Sequence, residues 1–262
     1  IVIYILGIRY LHDLSFPTKN ISDLKIDGKE KTKLLVIYPH PDDELMSGGL
    51  IRKAVKNKNF EVYMISTTKG EHGDEILKLP PTELGQVRSK EYANVAKTLG
   101  VSNFKLWGFI DGQMQDQENA LKQKLSEFVK ENQIDILVTY EKFGMYGHPD
   151  HIALSKISNV VAKENGLRIL FATFPDKILK RTNLPKTLTY KDRVVKLSLD
   201  SISDPEFKFN VTLHSFKTFL AGRHYKSQAR LGLIEQISFT LFGNFEYYTT
   251  KYADSSDQNN GI

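Results

Sequence analysis

A chain of 262 residues, 40% hydrophobic and 11% aromatic, is long and apolar enough to bury the core of one large α/β domain. It has no cysteine, which excludes structural disulfides, thiolate metal sites and cysteine nucleophiles. Its net charge of +5 comes from lysines interleaved with acidic residues, without the basic face, stacking aromatics or known motif that a nucleic-acid module needs.

Ile1 to Ile8 is a dense apolar run, too short to span a bilayer, which takes about 20 residues. It is read in two ways, as the end of a membrane anchor or signal, or as an element docked on the domain, so residues 1–32 are set apart. In the first reading the chain associates with a membrane through its N-terminus. Lys25, Lys29, Lys31 and Lys33 would then favour a cytoplasmic domain. Apolar, β-branched runs predict strands at Leu34–Tyr38, Glu61–Thr67, Phe104–Trp107, Ile134–Tyr140, Arg168–Ala172 and Arg193–Leu199. Helical periodicity falls at Leu45–Asn57, Thr82–Leu99, Glu118–Asn132, Ile152–Asn165 and Val211–Tyr225. Pro175–Tyr190 reads as a long loop, Leu231–Phe242 as a helix or irregular cap, and residues 253–262 as a polar tail after a domain spanning 33–252. The alternation predicts a Rossmann-like, three-layer α/β fold with a mostly parallel sheet and an active site at the C-terminal ends of its strands.

Two clusters stand at such ends. Pro39-His40-Pro41-Asp42-Asp43-Glu44 follows the first strand, and Tyr146-Gly147-His148-Pro149-Asp150-His151 follows the strand at Ile134–Tyr140. Alone, Asp42 or Asp43 would be read as a cap of the next helix. An imidazole and a carboxylate can also hold a metal while a second carboxylate acts as a base. His148 and His151 are three apart, so a helical turn puts both rings on one side. A catalytic zinc uses three protein ligands and one open position, and the two clusters together supply enough donors. The first strand is not followed by Gly-x-Gly-x-x-Gly, which argues against a dinucleotide site.

His-Pro-Asp-Asp-Glu with a later Gly-His-Pro-Asp-His resembles the PIG-L / LmbE-like zinc deacetylases, which act on N-acetylglucosamine-containing substrates. Further stretches resemble that family: Thr68 to Gly73, Leu84 to Glu91, Leu99-Gly100-Val101, Asp111-Gly112, Tyr225-Lys226-Ser227-Gln228 and Phe245 to Tyr248. The resemblance implies one zinc ion held by His40, Asp43 and His151, with Asp42 as the base that takes a proton from the attacking water. It implies His148 as the acid for the leaving amine, or a cation that steadies the tetrahedral intermediate. Tyr146 would donate to the oxyanion, and Asp150 would hydrogen-bond a histidine ring or cap a helix. Arg88, Glu71 and Asp111 would contact substrate. The blander readings are a surface ion pair between Arg88 and Glu91, a loop-closing Glu71, and a plain turn at Asp111-Gly112. Glu44 receives no role beyond bracing its loop or pairing with Arg88.

The expected activity is removal of an acetyl group from an N-acetylated amino sugar. The alternatives are deacetylation of a non-sugar amide on the same scaffold, or a sugar-binding protein without catalysis.

Overall fold

The computed structural model describes residues 13–73, 76–179, 187–190, 193–196, 204–228 and 244–252. The main sheet has eight strands: β1 (Thr18–Lys19), β2 (Thr32–Tyr38), β3 (Phe60–Thr68), β4 (Asn103–Phe109), β5 (Ile136–Tyr140), β6 (Arg168–Thr173), β9 (Phe207–Asn210) and β10 (Phe245–Thr249). Their order is β1-β9-β10-β6-β5-β2-β3-β4. The five strands from β6 to β4 run parallel. β10 pairs antiparallel with both β6 and β9.

β2 is the pivot. From it the chain steps outward through β3 to β4, then returns to lay β5 against the other side of β2, with Leu34 opposite Ile136 and Val36 opposite Val138. That reversal leaves a crevice beyond the carboxyl ends of β2 and β5, where open α/β sheets bind ligands.

β2 is apolar along almost its whole length because both of its faces are covered. Leu34, Val36 and Tyr38 pack with residues of α1 (Gly48–Val55), α2 (Pro81–Leu99) and α5 (Thr212–Gly222). Leu35 and Ile37 pack with α3 (Glu118–Asn132) and α4 (Pro149–Asn165) on the opposite face. The result is three layers, as the sequence predicts.

Several boundaries differ from expectation. A 3-10 turn occupies Asp43–Ser47, so α1 starts at Gly48 rather than Leu45. A Cβ on Gly49 would lie 2.4 Å from the Cβ of buried Val211, so only glycine fits there. The Glu246 carboxylate accepts Gly49 N–H at 2.6 Å and Leu50 N–H at 2.9 Å, satisfying two open donors of the first turn.

The expected strand Arg193–Leu199 is seen only as β8 (Arg193–Lys196), which pairs with β7 (Thr187–Tyr190) in a separate hairpin rather than joining the main sheet. The expected loop Pro175–Tyr190 therefore ends in a strand, and it begins with a helical turn at Asp176–Leu179. β9 and β10 were not anticipated. Within the segment set apart as 1–32, β1 pairs with β9 and Leu24 is buried in the core. The runs Ile1–Ile8 and Leu231–Phe242 and the tail 253–262 lie outside the described residues. Among the described residues no helix is long and apolar enough to cross a membrane.

Candidate metal centre

The loops after β2 and β5 face each other across the crevice and bring three donor atoms together. His40 Nδ1 lies 3.2 Å from Asp43 Oδ2, His151 Nε2 lies 3.3 Å from the same oxygen, and the two nitrogens are 3.2 Å apart. Tetrahedral bonds of about 2.0–2.2 Å place ligands about 3.3–3.6 Å from one another, so this triangle fits one ion with only small adjustment.

The remaining ring nitrogens face acceptors. His40 Nε2 lies 3.0 Å from Asp111 Oδ1 and 3.3 Å from Asp150 Oδ2. His151 Nδ1 lies 3.1 Å from the Gly144 carbonyl. A proton on each of these outer nitrogens leaves lone pairs on His40 Nδ1 and His151 Nε2, the arrangement that metal-ligating histidines use. Two other groupings share His40, with His148 and His151 or with Asp111 and Asp150. In the second, Asp150 accepts Gly112 N–H and Met114 N–H, and Asp111 accepts His72 N–H, just as Asp43 accepts His40 N–H at 2.9 Å. In the His40–Asp43–His151 set all three donor–donor distances lie between 3.2 and 3.3 Å.

Charge is concentrated at this point. Burial opposes a charge on His40, yet Asp111, Asp150 and Asp43 together hold its pKa well above the usual imidazole range. Burial likewise opposes ionisation of Asp43, and the rings of His151 and His40 overcome it and hold its pKa well below the usual carboxylate range. A metal ion at the triangle would displace a proton from His40, so binding would release protons.

Tyr140, the last residue of β5, was not singled out in the sequence. Its ring stacks on His151 at 4.5 Å, and its hydroxyl donates to Asp43 Oδ1 at 2.9 Å. It thus positions two of the three donors. Its only sequence signal is its place at the strand end beside the second cluster.

Asp42 and Asp43 diverge. Asp43 is buried, whereas the Asp42 side chain is 33% exposed and its Oδ2 lies 3.4 Å from an Arg88 guanidinium nitrogen. Asp42 has φ 109°, a conformation that costs a non-glycine residue about 1–3 kcal/mol and persists only where its surroundings enforce it. Glu44 supplies the enforcement. Its Oε2 accepts Asp42 N–H at 3.0 Å, and its Oε1 accepts the Tyr225 hydroxyl at 2.5 Å. Arg88 acts from the other side, donating to the Pro41 carbonyl at 2.5 Å and to the Gly70 carbonyl at 2.8 Å. Burial and the Asp43 charge push the Asp42 carboxyl up to about 7, against the pull of Arg88 and His40.

The second cluster follows from its backbone. Met145 takes φ 67°, and the chain then turns into α4, whose N-cap is His148. His148 Nδ1 accepts Asp150 N–H at 3.2 Å, so Asp150 is not itself the cap. The His148 ring centre sits 4.7 Å from that of His40 and 4.9 Å from that of His151. Burial, with the charges of those two rings, pushes the His148 pKa down to about 3. The Tyr146 hydroxyl lies 3.4 Å from His151 Nε2, beside the triad.

The residues assigned to substrate by resemblance lie farther back. Arg88 and Asp111 are buried; the terminal Arg88 nitrogens bond the Gly70 and Pro41 carbonyls while its Nε has no hydrogen-bond partner, and Asp111 meets His40 and His72 N–H. Glu71 accepts Asp111 N–H at 3.0 Å and Lys69 N–H at 3.2 Å, closing its loop. Glu91, expected as a surface partner of Arg88, instead binds the backbone of Lys226 and Ser227.

Residues 35–162 match a family model described as PIG-L: GlcNAc-PI de-N-acetylase. A 1D-myo-inositol 2-acetamido-2-deoxy-alpha-D-glucopyranoside deacetylase of Catenulispora acidiphila is 28% identical over 159 residues, covering 48% of this chain and 43% of that protein. The matched region thus spans less than half the length of that relative. The fold is shared with an N,N'-diacetylchitobiose deacetylase from Pyrococcus horikoshii, at a TM-score of 0.62 and 21% identity over 88% of this chain and 89% of that one. It is also shared with a 4-carboxy-2-hydroxymuconate hydratase from Pseudomonas putida KT2440, at a TM-score of 0.61 and 11% identity over 85% and 97% of the two chains, so the fold alone does not set the reaction. Residues 35–162, which carry both loops of the candidate metal centre, are thus similar to the PIG-L family.

Proposed function

We propose that the chain is a zinc-dependent hydrolase that removes the acetyl group from an N-acetylglucosaminyl substrate. The observation that carries this reading is the convergence of His40 Nδ1, Asp43 Oδ2 and His151 Nε2 beside a half-buried carboxylate, Asp42. The matched family and the Catenulispora relative are both named for de-N-acetylation of an amino sugar, which supports the substrate class.

Two imidazole nitrogens and one carboxylate oxygen, with no thiolate, suit zinc, which when bound would supply a Lewis acid for water and for the acetamide carbonyl. Asp42 accepts a proton from the attacking water. The Tyr146 hydroxyl donates to the oxyanion that forms on the carbonyl carbon.

His148 was expected to be an acid or a cation. With Nδ1 accepting a backbone N–H and its pKa pushed down to about 3, the ring is neutral at pH 7 and carries its one proton on Nε2. A neutral donor of this kind steadies the oxyanion. The proton for the amine then returns from Asp42. The balance closes: the C–N bond breaks, water adds across it, and amine and acetic acid leave.

The test is acetate release from N-acetylglucosaminides and from N-acetyl amino acids. Turnover of the sugars supports the proposal. Turnover of the amino acids alone makes the chain a deacetylase of non-sugar amides, and bound zinc with no acetate from any substrate makes it a binding protein. The pH profile of kcat/KM adds a second check. Asp42 must be ionised to act, so the rate falls as pH drops through its pKa. That acid limb lies below about 7, because a bound cation pulls the carboxyl down from its metal-free value. A rate that rises as pH falls through this range removes Asp42 as the base.

A further inference from the structure

We propose that the outer face of α5 is a docking surface for an anionic lipid bilayer. The helix is built the wrong way round for one that serves only as a core element. Its buried face carries the small residues Ser215, Thr218 and Ala221. Its large apolar residues point outward, with Leu213 91% exposed and Phe216 55% exposed. Leu220 continues the same stripe one turn later, at the i, i+3, i+7 spacing of a single helix face.

Cations flank this crest on both sides. Along one side, Lys97 of α2, Lys217 of α5 and Arg223 just past the end of α5 line a groove together with Leu220, and no carboxylate lines it. Along the other, Arg52, Lys53 and Lys56 face His214, whose pKa is lowered first by burial and then by those three charges. The carboxylate that faces Lys53 is Glu246, which is engaged with the first turn of α1.

An apolar crest between basic flanks is the composition of an interfacial helix: side chains enter the acyl boundary while cations meet the headgroups. The shape favours a bilayer over a protein partner. Leu213 and Phe216 project from a convex helix and would need a preformed cavity on a protein, whereas a bilayer accommodates any projecting apolar group.

The test is co-sedimentation of the full chain with two kinds of vesicle. One is phosphatidylcholine alone; the other is equal parts phosphatidylcholine and phosphatidylserine. The chain is expected to partition onto the serine-containing vesicles, less so as salt rises. Each cation near such a surface contributes about fivefold, or about 1 kcal/mol, so the triple variant Lys97→Glu, Lys217→Glu, Arg223→Glu should lose about 100-fold or more. The double variant Leu213→Ser, Phe216→Ser should lose about tenfold or more. Both should keep the wild-type circular dichroism. Binding that survives both variants overturns the proposal and assigns attachment to another part of the chain. Equal binding to both vesicles, or to neither, overturns it as well. So does a dimer in solution that Leu213→Ser dissociates, because the face then belongs to a second copy.

Discussion

Asp42→Asn is expected to lower kcat for acetate release by about 10²–10⁴-fold, the usual loss on removing a general base, while leaving the metal content at the wild-type level. Asparagine is the informative replacement. Asp42 holds φ 109°, and asparagine tolerates positive φ better than most side chains, so the loop keeps its shape. Its amide matches the carboxylate in size and cannot accept the proton of water. Asp42 also lies outside the tight triangle of donors, so metal uptake should not change. The measurement is kcat alongside zinc by elemental analysis. Wild-type turnover would remove Asp42 from the mechanism, and loss of zinc would make it a ligand.

His151→Ala should abolish metal binding and activity together. His151 is fully buried, stacked on Tyr140 and bonded to the Gly144 carbonyl, so water cannot replace its nitrogen in the same position. Losing an outer hydrogen-bond partner of a ligand typically weakens a metal about 10–100-fold, and losing the ligand itself should exceed that range. Asp111→Asn provides the comparison, because Asp111 touches His40 on the side away from the triangle. It should fall within that range and recover at high zinc. A chelator should inactivate the wild type, and added zinc should restore it. Full occupancy of His151→Ala, or of His40→Ala, would overturn the ligand set.

The parallel half of the fold is legible in the sequence for a simple reason. β2 and β5 are buried on both faces, so their residues form nearly continuous apolar runs. β9 and β10 are short, and β10 carries Glu246 near its start, a polar residue whose partners are the backbone of α1 and the Tyr248 hydroxyl. Nothing local in the sequence announces such a pairing. The candidate donors are implied by the family resemblance, and the structure brings those same three side chains together at the strand ends. The directions of Arg88, Glu71 and Asp111 are not legible, because residue type does not say whether a charged side chain faces a substrate or a neighbouring loop. Glu44 is the sharpest case: its partner Tyr225 lies 181 residues away in the chain.

That separation bears on how the protein fails under stress. Contacts between parts of the chain so far apart pay a large loop-closure entropy and form late. The stretch from Tyr225 to Ser227 is held by the burial of Tyr225 in the core and by carboxylates, Glu44 taking the tyrosine hydroxyl and Glu91 taking two backbone N–H groups and the Ser227 hydroxyl. Releasing it disturbs none of the five parallel strands and none of the three donors. It does free Glu44 from Tyr225 and so loosens one of the two restraints on Asp42, the other being Arg88. Mild denaturant should therefore silence the enzyme before it unfolds it, with turnover lost at lower concentrations than far-ultraviolet circular dichroism and with zinc still bound.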